Sequence, residues 1–126
     1  MTTTHAPKKI LVVEDSADSR ELIRHLLQRA GMDVETAENG KDGLEKALKQ
    51  KPDLLLLDLE MPIMDGFGVI KMLRASDYNK PIVAITAHNT IQDRDRCQDA
   101  GFDGLISKPF NQEGLVRVLK EHLSSS

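Results

Sequence analysis

The stretch Asp53-Leu-Leu-Leu-Leu-Asp58 is an unbroken apolar run with a carboxylate at each end. A run that does not alternate between apolar and polar positions predicts a strand buried on both faces, as in parallel sheets. The same shape recurs, in full or in weaker form, at four other places: Ile10–Val13, Val34–Ala37, Pro81–Thr86 and Gly104–Lys108. The sequence therefore predicts five parallel strands.

Helical spacing fills the intervals between these runs. Apolar residues three and four positions apart form one stripe in each of four intervals, namely 22–30, 44–48, 67–73 and 115–123. Asp65 and Asn111 are suited to begin the third and fourth of these helices, and Gly31 is suited to end the first. Strand and helix thus alternate along the chain, which predicts an α/β fold with a doubly wound five-stranded parallel sheet and helices on both faces.

A fifth helix is predicted over residues 89–100, but its composition differs from that of the others. Its only apolar residues are Ile91, Cys97 and Ala100, and charged residues occupy most of the remaining positions. Because little apolar burial would hold this helix, we expect it to be the most mobile element of the fold.

Length and charge restrict the classes of protein to consider. The chain has 126 residues, a length that favours one domain. Its net charge is −3, so it offers no polycationic surface for nucleic acid or an anionic membrane. We expect the domain to span residues 8–123, between a disordered N-terminal tail at 1–7 and a short C-terminal tail at 124–126. The single cysteine, Cys97, excludes an internal disulfide framework and favours a cytoplasmic protein. No apolar run approaches the ~18 residues of a membrane span.

Ionisable or hydroxyl side chains follow four of the five predicted strands. They are Glu14 and Asp15, Asp58, Thr86, and Lys108. In open parallel sheets, ligands bind outside the carboxyl ends of the strands, and neighbouring strand ends lie about 5–10 Å apart. We therefore expect three carboxylates, one hydroxyl and one ammonium to meet in one cleft.

Three carboxylates that lie close together repel one another, so either a proton or a cation must join them. Lys108 supplies one positive charge, and the remainder fits a hard divalent cation with oxygen ligands, foremost Mg²⁺ with Mn²⁺ as the second option. A bound cation, an ammonium and a hydroxyl together predict a phosphoryl-transfer site with a carboxylate nucleophile.

Four fragments, each at the end of a predicted strand, resemble the receiver domain of two-component response regulators. They are Val13-Glu14-Asp15-Ser16, Leu57-Asp58 through Asp65-Gly66, Ile85-Thr86-Ala87, and Lys108-Pro109-Phe110. Their order and separations fit the family, and the resemblance runs from about Lys8 to Leu123. It implies a flavodoxin-like strand order of 2-1-3-4-5 and a cis Lys108–Pro109 bond.

The resemblance also implies roles for the residues of the cleft. Asp58 would accept a phosphoryl group from a histidine kinase or a histidine phosphotransfer protein. Asp15, Asp58 and the backbone carbonyl of Glu60 would bind Mg²⁺, with Glu14 acting through water. Lys108 would contact the phosphoryl oxygens, and Thr86 would hydrogen-bond to the phosphoryl group and move when it arrives.

The expected protein is a single-domain switch that is not an enzyme toward other substrates. Phosphorylation would alter the last two helices and the strand between them, and a downstream protein would bind that face. We expect no direct contact with nucleic acid or membrane, and a monomer or a weak dimer that depends on phosphorylation. One departure affects the output: Leu105 stands where receivers often carry a switching aromatic residue.

Three alternatives remain beside this interpretation. The chain could be a receiver excised from a hybrid histidine kinase. It could be a small phosphatase with an aspartyl phosphate, although Asp58 follows the third strand whereas that family's nucleophile follows the first. It could bind a nucleotide or flavin, although Glu14-Asp15 replaces the glycine-rich turn that such modules need after their first strand.

Overall fold

The computed structural model describes residues 7–61, 65–87 and 90–124, in which strands and helices alternate. The strands are β1 (Lys9–Val13), β2 (Asp33–Ala37), β3 (Leu54–Asp58), β4 (Ile82–Thr86) and β5 (Gly104–Ser107). The helices are α1 (Ala17–Arg29), α2 (Gly40–Gln50), α3 (Gly66–Ala75), α4 (Ile91–Ala100) and α5 (Gln112–Ser124). None of these helices is long and apolar enough to cross a membrane.

The five strands form one parallel sheet in the order β2-β1-β3-β4-β5. This confirms both the predicted fold class and the strand order implied by the family resemblance. β1, β3 and β4 are the interior strands, and their apolar runs are buried. β2 lies at an edge and is half-buried, which explains why its apolar pattern is the weakest in the sequence.

Helices cover both faces of the sheet and close two apolar layers. Alternate residues of the interior strands point into each layer, as at Leu55 and Leu57 on one side and Leu54 and Leu56 on the other. The first layer packs against α2, α3 and α4, and the second packs against α1 and α5. The sheet is thus enclosed between two helical layers, and the carboxyl ends of its parallel strands meet at one edge.

Side chains and glycines begin and end the helices much as the sequence predicts. The Asp65 carboxylate accepts the Gly68 amide at the start of α3, and Asn111 accepts the Gly114 amide at the start of α5. Gly31 and Gly101 adopt positive φ angles of 87° and 102° after α1 and α4. Helix α4 begins later than predicted, because Thr90 and Asp93 form a capping box there.

Two leucines that the helical spacing places on buried stripes lie at the surface instead. Leu22 of α1 is 53% exposed and Leu48 of α2 is 40% exposed. Each lies at the margin of its stripe, and a helix that packs on one side of a sheet buries only the centre of that stripe.

Candidate functional site

Three carboxylates meet at the carboxyl edge of the sheet, as the strand ends predict. Asp58 is the last residue of β3, and Glu14 and Asp15 follow β1, which pairs with β3. One carboxylate oxygen of each lies within 4.8 Å of the other two. Glu14 and Asp58 are buried, whereas Asp15 is exposed to solvent. The group thus forms a small acidic cleft that is open on the Asp15 side.

The charges in this cleft are only partly balanced by protein groups. Lys108 Nζ lies 3.4 Å from Asp58 Oδ2 and 3.8 Å from Glu14 Oε2. Burial, a hydrogen bond with Asp58 and the charge of Asp58 raise the pKa of Glu14 to about 8, and Lys108 opposes this shift. Glu14 therefore holds a proton at neutral pH when nothing else balances the charge of the cleft.

This set of oxygens fits a divalent cation. Among the described residues, the buried Glu14 Oε2 has no hydrogen-bond partner. This oxygen can therefore accept a hydrogen bond from a water molecule bound to an ion. Oxygen ligands clustered on one open side suit a hard ion that keeps several waters. The acidic cluster of Glu14, Asp15 and Asp58 could accordingly hold a metal ion.

Lys108 reaches the cleft from the end of β5, and Thr86 from the end of β4. The Lys108 amide donates to the Thr86 carbonyl at 2.8 Å, which fixes the two strand ends together. The Lys108–Pro109 bond is cis, as the family resemblance implies. The structure thus brings Glu14, Asp58, Thr86 and Lys108 to one edge of the sheet.

The side chain of Glu60 makes contacts that its expected role does not include. Only its backbone carbonyl is a ligand in the family resemblance, yet its side chain also accepts hydrogen bonds. Glu60 Oε1 accepts the Thr86 hydroxyl at 2.8 Å and the Ala87 amide at 3.2 Å. The Glu60 amide donates to Asp58 Oδ1 at 2.9 Å. Glu60 therefore contacts both Asp58 and the end of β4.

Arg20 also supports the cleft, a role that its place in the sequence does not predict. Its guanidinium donates from α1 to the backbone carbonyls of Glu14 and Asp15, at 3.0 and 3.2 Å. These bonds hold the turn after β1 against the first helix and so orient both acidic side chains. An arginine on the first turns of a helix is common, so the sequence alone carries no signal for this contact.

Leu105 and Gly66 are two further residues that the family resemblance singles out. Leu105 is half-buried and packs against the layer beneath α3 and α4. Gly66 lies so close to the cleft that an added Cβ would stand 2.9 Å from the Asp58 carbonyl oxygen. Residues 62–64 of the matching Leu57–Gly66 fragment lie outside the described residues.

Comparison with known proteins gives one consistent family. Residues 10–120 match the family model of the response regulator receiver domain. The chain is 30% identical over 122 residues to the polar-differentiation response regulator DivK of Brucella anthropi, covering 95% of this chain and 99% of DivK. The chain spans about half the length of several other curated relatives, which are transcriptional regulatory proteins and response regulators.

Solved structures agree. Vibrio cholerae chemotaxis protein CheY4 superposes with a TM-score of 0.88 at 35% identity, covering 93% of this chain and 99% of that one. The receiver domain of sensor histidine kinase PA1611 from Pseudomonas aeruginosa superposes with a TM-score of 0.86 at 30% identity, covering 94% and 99%. That structure has a magnesium ion coordinated in its active-site cleft. Fold, cleft and comparisons thus agree, and the chain belongs to the receiver domain family of two-component response regulators.

Proposed function

We propose that this receiver is a phosphorylation switch in which Asp58 accepts a phosphoryl group from a histidine kinase or a histidine phosphotransfer protein. One observation carries the proposal: buried Asp58 lies in a cluster of three carboxylates, with Lys108 Nζ 3.4 Å from its Oδ2. A carboxylate held beside a cation is an anionic nucleophile that can approach an anionic phosphoryl group.

In the proposed reaction, an Asp58 oxygen attacks phosphorus in line with the donor bond. The phosphorus–nitrogen bond of the phosphohistidine breaks, and the imidazole leaves with the electron pair. Lys108 neutralises charge on the phosphoryl oxygens, and the Thr86 hydroxyl and Ala87 amide donate to them. Water later attacks phosphorus, releases inorganic phosphate and restores the Asp58 carboxylate.

A divalent ion, foremost Mg²⁺, would be held by the Asp15 and Asp58 carboxylates and the Glu60 carbonyl, with Glu14 acting through water. When bound, such an ion supplies charge neutralisation between the carboxylates and the phosphoryl oxygens. The magnesium ion in the PA1611 receiver supports this assignment.

The added charge, about −2, would then act on the end of the sheet. We propose that it draws Thr86 and Lys108 inward and changes the α4–β5–α5 face, where a downstream protein binds. We place the switch in the cytoplasm.

A receiver excised from a hybrid kinase is the second candidate, favoured by the likeness to the PA1611 receiver. Its chemistry at Asp58 would be the same, and only the source and destination of the phosphoryl group would differ. Transfer to this protein from a phosphorylated kinase core, followed by passage to a phosphotransfer protein, would distinguish this candidate from a switch that binds a downstream target.

The test is incubation with acetyl phosphate, with and without Mg²⁺, followed by intact-mass measurement. The wild type should gain the mass of one phosphoryl group only when Mg²⁺ is present, and Asp58→Asn should gain nothing. Asp53→Asn, just before the opposite end of β3, is the matched control and should be labelled like the wild type. An adduct that persists in Asp58→Asn would overturn the assignment of the acceptor.

A further inference from the structure

The side chain of Glu60 occupies hydrogen-bond donors that the phosphoryl group would need. Its Oε1 accepts both the Thr86 hydroxyl and the Ala87 amide, at 2.8 and 3.2 Å. Both donors lie at the carboxyl end of β4, where Ile85 is in register with Asp58 of the neighbouring strand. Glu60 Oε1 therefore accepts the two hydrogen bonds that an oxygen of a phosphoryl group on Asp58 would accept.

The contact is well suited to compete with an incoming anion. Hydrogen bonds to a carboxylate are stronger than those between neutral groups. Thr86 is only 1% exposed, so its hydroxyl has little access to solvent as a substitute partner. A phosphoryl group on Asp58 and the Glu60 carboxylate are both anionic, and they cannot share the same two donors without strong repulsion.

We infer that Glu60 is a positioning residue whose carboxylate holds Thr86 and the Ala87 amide in the unphosphorylated arrangement. Phosphorylation must displace this carboxylate before both donors can turn to the phosphoryl oxygens. This inference rests on the proposed function of Asp58 and adds an internal competitor to it.

The surroundings of Glu60 indicate where the displaced carboxylate goes. A cavity of about 150 Å³ lies beside Glu60, and Arg96 is the one basic side chain among its described lining residues, which are Leu59, Glu60, Asp65, Phe67, Thr86, Asp93 and Arg96. The Arg96 guanidinium of α4 lies 4.1 Å from the centre of the Phe67 ring, in a cation–π contact. Such a contact is worth only about 0.5–1 kcal/mol at an exposed site, so a carboxylate entering the cavity can draw the guanidinium away.

This exchange provides a route from the site to α4 that needs no aromatic residue at position 105. Thr86 moves toward Asp58, Glu60 moves into the cavity, and Arg96 moves from Phe67 to Glu60. Because Arg96 belongs to α4, the last step acts on the element that carries the proposed output face. Leu105 can then remain packed against the apolar layer.

The first experiment compares wild type, Glu60→Ala and Glu60→Gln with Glu45→Gln, an exposed glutamate of α2, as the matched control. In metal-free protein, the Ala87 amide resonance should shift in both Glu60 variants and stay in place in the control. With Mg²⁺ present, Glu60→Ala should bind beryllofluoride about tenfold more tightly, the effect expected from removing a charged hydrogen-bond competitor. Glu60→Gln should fall between, because it keeps an oxygen acceptor without the charge.

An unshifted Ala87 amide, or beryllofluoride affinity that is unchanged or weaker in Glu60→Ala, would overturn the inference and leave the proposed function intact. If wild-type protein neither binds beryllofluoride nor is phosphorylated by acetyl phosphate, the proposed function is overturned, and the inferred role of Glu60 as a competitor falls with it. Cooperative urea unfolding of each variant shows that the fold is retained.

A double-mutant cycle tests the route through α4. Arg96→Gln should weaken beryllofluoride binding in the wild-type background, because the displaced carboxylate loses its partner. The same substitution should have no effect in the Glu60→Ala background. Equal effects in both backgrounds would show that Arg96 does not receive Glu60 and would overturn this route.

Discussion

Glu14 shows how one buried residue ties the chemistry of the cleft to stability. Its folded-state pKa of about 8 lies above the ordinary value of 4.5, so the folded protein holds this proton more tightly than the unfolded chain. The resulting stabilisation is complete below about pH 4.5 and is lost as the pH rises through about 8.

We therefore predict that metal-free protein loses stability between pH 5 and pH 8, by at most about 1.4 kcal/mol per pH unit from this group. Glu14→Gln cannot ionise and should show a flatter profile. Urea unfolding in a chelator at several pH values measures both proteins. Parallel profiles for wild type and variant would contradict the assignment of the shifted pKa to Glu14.

Gly66 is a second residue whose identity is imposed by the cleft. An alanine in a helix usually stabilises it by about 0.5–1 kcal/mol relative to glycine. At Gly66 the added Cβ would stand 2.8 Å from Leu59 Cδ2 and 2.9 Å from the Asp58 carbonyl oxygen. We expect Gly66→Ala to be destabilised by about 1–3 kcal/mol through overpacking.

Gly114→Ala is the matched control, since its Cβ would meet one side-chain oxygen at 3.2 Å. It should change the free energy of unfolding by no more than about 0.5 kcal/mol. Equal effects of the two substitutions in urea unfolding would show that the close approach at Gly66 is relieved at little cost.

At the scale of elements, Arg74 joins the end of α3 to two neighbouring segments. Its guanidinium donates to the carbonyls of Tyr78, Lys80 and Gly101, at 2.8 to 3.1 Å, and to the Asp103 carboxylate at 2.9 Å. These segments directly precede β4 and β5, so the Arg74 side chain fixes the chain just before both strands begin.

We expect Arg74→Met to lower the free energy of unfolding by about 2–3 kcal/mol, because it removes hydrogen bonds from a charged donor and leaves carbonyls unsatisfied. Arg94→Met, at an exposed position of α4, should change it by about 0.5 kcal/mol or less. Chemical denaturation measures both variants, and a loss at Arg74 no larger than at Arg94 would refute this role.

Helix α4 buries fewer residues than α3, as its composition predicts. Only Cys97 of α4 is fully buried, whereas α3 buries Gly66, Val69, Ile70 and Leu73. The expectation that α4 is the most mobile element is a statement about dynamics and stays a prediction. Native-state hydrogen exchange should show less protection for amides 95–100 than for amides 70–75. Equal protection would mean that α4 opens only with the whole domain.

At the scale of the whole molecule, ion binding and folding are linked. An ion that binds the acidic cluster only in the folded state stabilises the protein by about 2.7 kcal/mol at one hundred times its dissociation constant. We predict that Mg²⁺ raises the melting temperature more at pH 8 than at pH 5, because protonated Glu14 competes with the ion. Calorimetry with NaCl at matched ionic strength provides the comparison.

Asp58→Asn should lose most of this gain, since it removes one of the three clustered carboxylates. Asp53→Asn, which lies just before the other end of β3, should keep it. A stabilisation by Mg²⁺ that is the same in Asp58→Asn as in wild type would place the ion elsewhere.

The sequence by itself determined the sheet and the edge at which its chemistry lies. Unbroken apolar runs require burial on both faces, and buried parallel strands place their last residues side by side. Asp58, Thr86 and Lys108 could therefore be assigned to one cleft from their positions at the carboxyl ends of β3, β4 and β5. Strand order required the family resemblance, because periodicity does not show which runs are neighbours.

Only the tertiary structure decided how these groups are partnered. The contact between Glu60 and Thr86 spans 26 positions and depends on where the chain after β3 passes β4. The raised pKa of Glu14 depends on burial and on Asp58, which is 44 positions away in the sequence. The path of α1 places the Arg20 guanidinium beside the turn after β1. Local patterns specify which face of an element is buried. The direction of a polar side chain depends on what the rest of the fold brings beside it.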